Sequence, residues 1–372
     1  MKPAGWIRIL LTFLVVSATV ASAQPDRMRV GLLCQAPEGD PFWGLVVEAM
    51  QAAADDLNID LQVKYIQIRQ TYTFKRLGNH FLKQKPKLDY LVTKYVRSAT
   101  AEHLAEAEKL GIKVLVINSD VPEDEQNAVG KLPREKYANW IGHLVPDDRQ
   151  AGYDQARILV TAAKQAHSAD PHGDIHVLGM EATYDSTVGE SRKAGLHDYV
   201  DSNADVVLKD IKQISWTKNP SKMEVAKVLM LYPDIEVLWT SNEEIAWGAV
   251  QTLESAGKKP GKDVYIGSFD WNTDSARAIA DGRITVSMAG HFMEGAWALV
   301  LLYDYHNGID FNQDPGVRMK TPLSAINADN FKRYIALTQQ GGLKKIDFRK
   351  FSKKYNPDLK TYNFNINQFI DE

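Results

Sequence analysis

Short apolar runs alternate with segments of helical period along most of this chain, and no other property of the sequence restricts its fold as much. Met28 to Cys34 is the first such run. After the turn residues Pro37, Gly39 and Pro41, the residues Val46, Met50, Ala53 and Leu57 recur three and four positions apart, which places them on one face of a helix. Strand-like runs follow at Leu61 to Ile66, Leu88 to Val92 and Lys113 to Ile117, separated by helical segments at Thr73 to Lys83 and Ser98 to Leu110. Gly111 stands where a helix C-cap glycine belongs. A polar stretch from Val121 to Pro133, a short strand Asn139 to Gly142 and a turn at Val145, Pro146 and Asp147 interrupt the series and mark a first crossing between domains. A second series starts with a helix at Arg149 to Gln165. It continues through strands at Asp174 to Leu178, Val206 to Ile211, Ile235 to Trp239 and Asp263 to Gly267, with helices between them. Short apolar strands connected in this way predict parallel sheets with helices on both faces. The expected fold class is therefore α/β, with two doubly wound lobes.

Length supports the division, because 372 residues exceed what one typical core organises, and a 44% hydrophobic content is that of a globular chain. With 44 Lys and Arg against 47 Asp and Glu, the net charge of −3 leaves no basic footprint for nucleic acid. The single cysteine, Cys34, rules out an internal disulfide framework. Residues 1–23 have the form of an export signal: Lys2 and Arg8 at the start, an apolar run from Ile9 to Val16, and the small residues Ala21-Ser22-Ala23 before the cut. That run is well short of the roughly 20 residues a spanning helix needs. The expectation is a monomer in the periplasm with its leader removed.

Catalytic and cofactor signatures are absent from the sequence. The glycine-rich segment Gly257 to Lys262 lacks the spacing of a phosphate-binding loop and is followed by Asp263. His172 and His176 straddle a turn and a strand with no third metal ligand nearby, and Cys34 closes an apolar strand with no adjacent histidine. These features predict a protein that is not an enzyme and carries neither metal nor cofactor.

The informative residues follow the strands, where ligands bind in an open parallel sheet. Asp40, Phe42 and Trp43 follow the first strand; Asn118, Ser119 and Asp120 follow the run ending at Ile117. Ser241, Asn242 and Glu243 follow Trp239, and Phe269, Asp270 and Trp271 follow Gly267. Rings stack on the C–H face of a sugar while fixed donors and acceptors satisfy its hydroxyls, so aromatic residues beside Asp and Asn suit a sugar-like ligand. Asp40 and Asn242 read equally well as caps of the helices that follow them.

Three segments carry a resemblance to the type 1 periplasmic binding proteins, the family of the ribose, galactose and autoinducer-2 binders. They are Val30-Gly31-Leu32 through Asp40-Pro41-Phe42-Trp43, Trp239-Thr240-Ser241-Asn242-Glu243-Glu244 through Ala249, and Ile266-Gly267-Ser268-Phe269-Asp270. The likeness runs from about Met28 to Tyr305. It implies two similar lobes joined by a three-segment hinge, with the ligand cleft between them and closure on binding. The lobes are expected at 24–143 plus 272–308 and at 144–271 plus 309–327, with 328–372 as a C-terminal extension of weak periodicity packed on the surface. Carried onto this chain, the resemblance implies Phe42 and Trp43 as stacking rings and Asn242 and Asp270 as hydroxyl partners. Trp216 is implied as an aromatic of the second lobe, and Asp40 stands where ribose binders carry asparagine. The chain departs from ribose binders at Asn118 and Asp120, at Arg192, which is displaced by two positions, and near His291, where the family carries a glutamine. The implied partners are a small sugar or polyol-like ligand and either an ABC-type membrane permease or a membrane sensor.

Overall fold

The computed structural model describes residues 27–68, 70–166, 173–182, 187–214, 218–270, 273–339 and 341–370. The leader at 1–23, Trp216 and Trp271 lie outside the described residues. The alternation in the sequence becomes β1 (Arg29–Cys34), α1 (Pro41–Leu57), β2 (Asp60–Tyr65), α2 (Thr71–Leu82), β3 (Tyr90–Lys94), α3 (Thr100–Leu110), β4 (Lys113–Ile117), α4 (Gln126–Val129) and β5 (Trp140–Pro146). A second run follows: α5 (Asp148–Ala166), β6 (Ile175–Ala182), α6 (Thr187–Asp201), β7 (Val206–Ile214), α7 (Lys218–Leu231), β8 (Val237–Thr240), α8 (Glu243–Ser255), β9 (Tyr265–Phe269), α9 (Thr273–Ala280) and β10 (Val286–Ala289). The chain closes with α10 (Glu294–His306), β11 (Arg318–Thr321), β12 (Ser324–Ile326) and α11 (Phe331–Thr338).

Two six-stranded sheets result, ordered β11-β5-β4-β3-β1-β2 and β12-β10-β9-β8-β6-β7. Their pairings are parallel except for β12 against β10. Inner strands such as β1 and β4 are buried along nearly their whole length, because helices cover both faces and both sides of the pleat must be apolar.

The sheet pairings correct the expected lobe boundaries. β10 pairs with β9, so the chain stays in the second lobe until Ala289 and does not leave it at residue 272. It crosses at Gly290, whose φ of 108° a side chain would strain and where a Cβ would lie 2.6 Å from Ile366. The segment 309–327 divides: β11 joins β5 in the first lobe and β12 joins β10 in the second. The third crossing therefore lies between Thr321 and Ser324. Strands of four and three residues are too short to show a period, which is why composition hid them.

Beyond Gly290 the chain forms a 3-10 turn, His291–Met293, and then α10. α10 is apolar almost all round because α1 lies against one side and the extension covers another. Met293, Trp297 and Val300 are buried, as their helical spacing predicts. Among the described residues no helix is long and apolar enough to cross a membrane.

The extension is more ordered than its weak periodicity implies. α11 packs on α9 of the second lobe, while 3-10 turns at Leu343–Lys345 and Phe348–Phe351 pack on α1 of the first. Trp297 stacks on Phe364 at 5.0 Å and meets Phe351 edge-on at 4.9 Å. The fully buried Asp304 of α10 accepts hydrogen bonds from Ser352 Oγ, Lys353 N, Lys354 N and Tyr362 Oη, which ties the extension to the first lobe. Asp304→Ala strands these donors in the interior, and a loss of about 3–5 kcal/mol of stability is expected in denaturant melts. Limited proteolysis of that variant should cut the extension before either lobe.

Candidate functional site

Residues that follow the strands of both sheets converge between the lobes, and a close approach of two helices positions the most buried of them. A methyl group at Gly152 of α5 would lie 2.0 Å from the Arg192 carbonyl oxygen, and one at Gly195 of α6 would lie 1.9 Å from that of Arg149. Only glycine lets α5 and α6 come this near. The contact brings Asp148, the first residue of α5, to Arg192: Nε to Oδ1 is 2.8 Å, and both side chains are nearly inaccessible.

The guanidinium is otherwise occupied. Nη1 donates to the Ser241 carbonyl at 2.7 Å, and the group lies 4.0 Å from the centre of the Phe269 ring. Nη2 stands 3.7 Å from Asp270 Oδ1 and 3.5 Å from His291 Nε2. His291 Nε2 is in turn 2.9 Å from the same Asp270 oxygen, and Phe42 of the first lobe stacks on the imidazole at 4.7 Å. A chain of contacts thus runs from α5 through Arg192, Asp270 and His291 to α1.

The remaining predicted residues take other places. Asp40 Oδ1 accepts from Trp43 N and Asn242 Oδ1 from Ile245 N, so both cap helices. Trp43 is 6% exposed and packs in the core of the first lobe, edge-on to Phe42 at 5.7 Å. Asn118 is left-handed, with φ 71°, and its N–H donates to Glu294 Oε2 at 2.7 Å. The Asp120 carboxylate pairs with Arg318, and its backbone N–H donates to Thr187 Oγ1 of the second lobe at 2.9 Å. Asp120 is thus a tie between the lobes. Arg97 and Glu190, 3.9 Å apart, form a second one.

Asp148, Thr187, Glu294 and Tyr334 were not singled out from the sequence, and Glu243 was named only as one of the residues after Trp239, with no role given. Asp148 follows a strand end and obeys the rule that found Asp270. Glu294 carries its own signal, a charge that opens a largely apolar helix. Tyr334 gave none, since only the folded extension brings it near the pair described next.

The charges are strongly coupled. Burial alone would raise the pKa of Asp270, but Arg192 and His291 outweigh it and hold the carboxyl below its ordinary value. Glu243 is driven well above its usual range by burial and then by the Asp270 charge, and the two carboxyls share a hydrogen bond. Glu243 therefore keeps the proton and Asp270 the charge. Behind them the buried Tyr334 phenol is pushed up by desolvation and by both carboxyls. Glu243 Oε2 and His291 Nδ1 are buried polar atoms with no hydrogen-bond partner. Such atoms cost about 1–3 kcal/mol each unless a ligand or water meets them.

Glu294 stands apart at the crossings, hydrogen-bonded to the Asn118 amide and to Thr321 Oγ1. Burial raises its pKa to about 8. The folded chain thus binds this proton more tightly than the unfolded one, so the stability it confers is complete below about pH 4.5 and falls as pH rises toward 8. Glu294→Gln mimics the protonated form and should match the parent near pH 5 while exceeding it at pH 8 by roughly 3–5 kcal/mol in urea melts. A difference that is constant with pH would show that Glu294 is ionised in the fold.

Comparison with known proteins agrees with this architecture. The family described as periplasmic binding protein domain matches residues 30–310. The ribose import binding protein of Bacillus subtilis is 28% identical over 213 residues, which cover 50% of this chain and 68% of the relative. That of Escherichia coli is 27% identical over 230 residues, 58% and 74% of the two chains. The crystal structure of a periplasmic sugar-binding protein from Pseudomonas fluorescens superposes with a TM-score of 0.80 at 26% identity, covering 93% of this chain and 100% of the other.

Proposed function

This chain belongs to the periplasmic binding protein family, and from that premise we propose that it captures a small sugar-like molecule between its lobes and delivers it to an ABC-type importer without chemical change. The observation that carries the reading is the buried set Arg192, Asp270, Glu243 and His291. Its charges compensate one another, yet Glu243 Oε2 and His291 Nδ1 remain without partners, and Phe42 from the opposite lobe lies alongside. A protonated carboxyl, an ionised one and an imidazole offer both donors and acceptors to hydroxyl groups, and the Phe42 ring offers an apolar face to C–H bonds. The names of the relatives support the ligand class and the import role: two are ribose import binding proteins and one is a periplasmic sugar-binding protein. Closure then needs no chemistry, because a ligand that touches both lobes favours the state in which they meet.

The extension favours a second reading, in which a membrane sensor detects the closed form, since it adds surface to both lobes at the crossings. Uptake measurements in a deletion strain separate the two: loss of uptake supports import, and unimpaired uptake with a lost transcriptional or chemotactic response supports sensing.

A thermal-shift screen against sugars and polyols tests the ligand class. A ligand at about 100 times its dissociation constant stabilises the fold by about 2.7 kcal/mol, well within detection. Asp270→Ala should weaken the best hit by about 2–4 kcal/mol in calorimetric titration, because His291 and ligand hydroxyls lose their acceptor. Unchanged affinity would remove Asp270 from the site.

A further inference from the structure

A second cavity lies outside the space between the lobes and is built wholly from the C-terminal extension. It encloses about 510 Å³, within the range of small-molecule sites. One wall is α11, which rests on α9 of the second lobe, and the other is the pair of 3-10 turns fastened to α1 of the first. Leu337, Ile346, Phe351 and Phe369 make the floor, with the two rings 6.0 Å apart and edge-on.

Three cations line the opening: Arg333, Lys345 and Lys350. Each is exposed, and among the described residues neither lysine has a carboxylate within ion-pairing distance. The one acid of the lining, Asp347, already accepts from Arg349 Nε at 2.7 Å and caps the turn that follows it. The cavity thus presents a net positive rim over an apolar, partly aromatic floor. Cations without counterions beside half-buried rings select for negative charge and apolar area in one molecule. The lining lacks the buried, converging donors and acceptors that distinguish the interlobe site, so a neutral polyol has little to bind there.

We propose that this cavity is a second ligand site, for a small organic anion with an apolar body, such as an aromatic or branched carboxylate. The proposal does not depend on what the interlobe site binds. Titration of the purified full chain with 8-anilinonaphthalene-1-sulfonate, read by fluorescence, tests it, with uncharged N-phenyl-1-naphthylamine in parallel. The sulfonate should bind saturably at one site per chain, about tenfold more tightly than the neutral probe, and more weakly as salt is raised. Lys345→Glu combined with Lys350→Glu should weaken the sulfonate roughly tenfold, since both lysines are exposed and their reversal removes charge without disturbing the core. Ala336→Trp, at an exposed lining position, should fill the floor and abolish binding while the melting temperature stays near that of the parent. Equal binding of the two probes, or sulfonate affinity unchanged in both variants, would overturn the assignment.

Discussion

The buried ion pair between Asp148 and Arg192 is the constraint from which the interlobe site follows. A guanidinium and a carboxylate removed from water lose several kcal/mol of hydration each, and their attraction offsets this only when geometry is close and remaining donors are satisfied. Here the geometry comes from Gly152 and Gly195, and the remaining guanidinium N–H groups face the Ser241 carbonyl and the Asp270 carboxylate. Once Arg192 is held, Asp270 is held ionised, and its charge leaves the proton on Glu243. The protonation states of a whole cluster therefore rest on two residues without side chains, one on each of the paired helices.

Glu294 plays a comparable part for the crossings. One carboxyl group reaches the end of β4, the start of α10 and the end of β11, and so joins a first-lobe strand to two of the three segments that pass between lobes. An ionised group would face a large desolvation cost in that place. Burial favours the neutral acid, whereas the Thr321 hydroxyl and the Asn118 amide both donate to the carboxyl and favour the ionised form; burial outweighs them and keeps the proton in place. Polar groups at a junction of this kind fix which backbone segments meet and at what angle, and apolar packing could not do so as narrowly.

Much of the fold could be read from the sequence because parallel strands covered on both faces must be apolar throughout, and the runs from Val30 to Cys34 and from Val114 to Ile117 are of that kind. What could not be read depends on pairing. β11 and β12 take their identity from the strands beside them, and the chain switches lobes at Gly290 by a backbone angle that no period records. Inspecting strand ends reached Phe42 and Asp270, and the family resemblance added Arg192 and His291; the four form one chain of contacts in the fold. The same inspection gave Asp40 and Asn242 no priority over their capping roles, which they do fill. Asp148 and Tyr334 escaped because their importance lies in a partner 44 residues away for the first and in the folding of the extension for the second.

The extension has a mechanical consequence. It grips α9 of the second lobe through α11 and the first lobe through Asp304 and the Trp297 ring cluster. Two bodies joined only at crossing segments swing about them with little resistance, whereas these two are also laced together by a fourth piece of chain. Rotation of one lobe must bend that piece or peel it from one of its holds, so the angular travel has a stop and a restoring torque. The molecule is built as a sprung clasp, and the stiffness of its spring is set by the contacts of the extension with α9, Asp304 and the Trp297 rings.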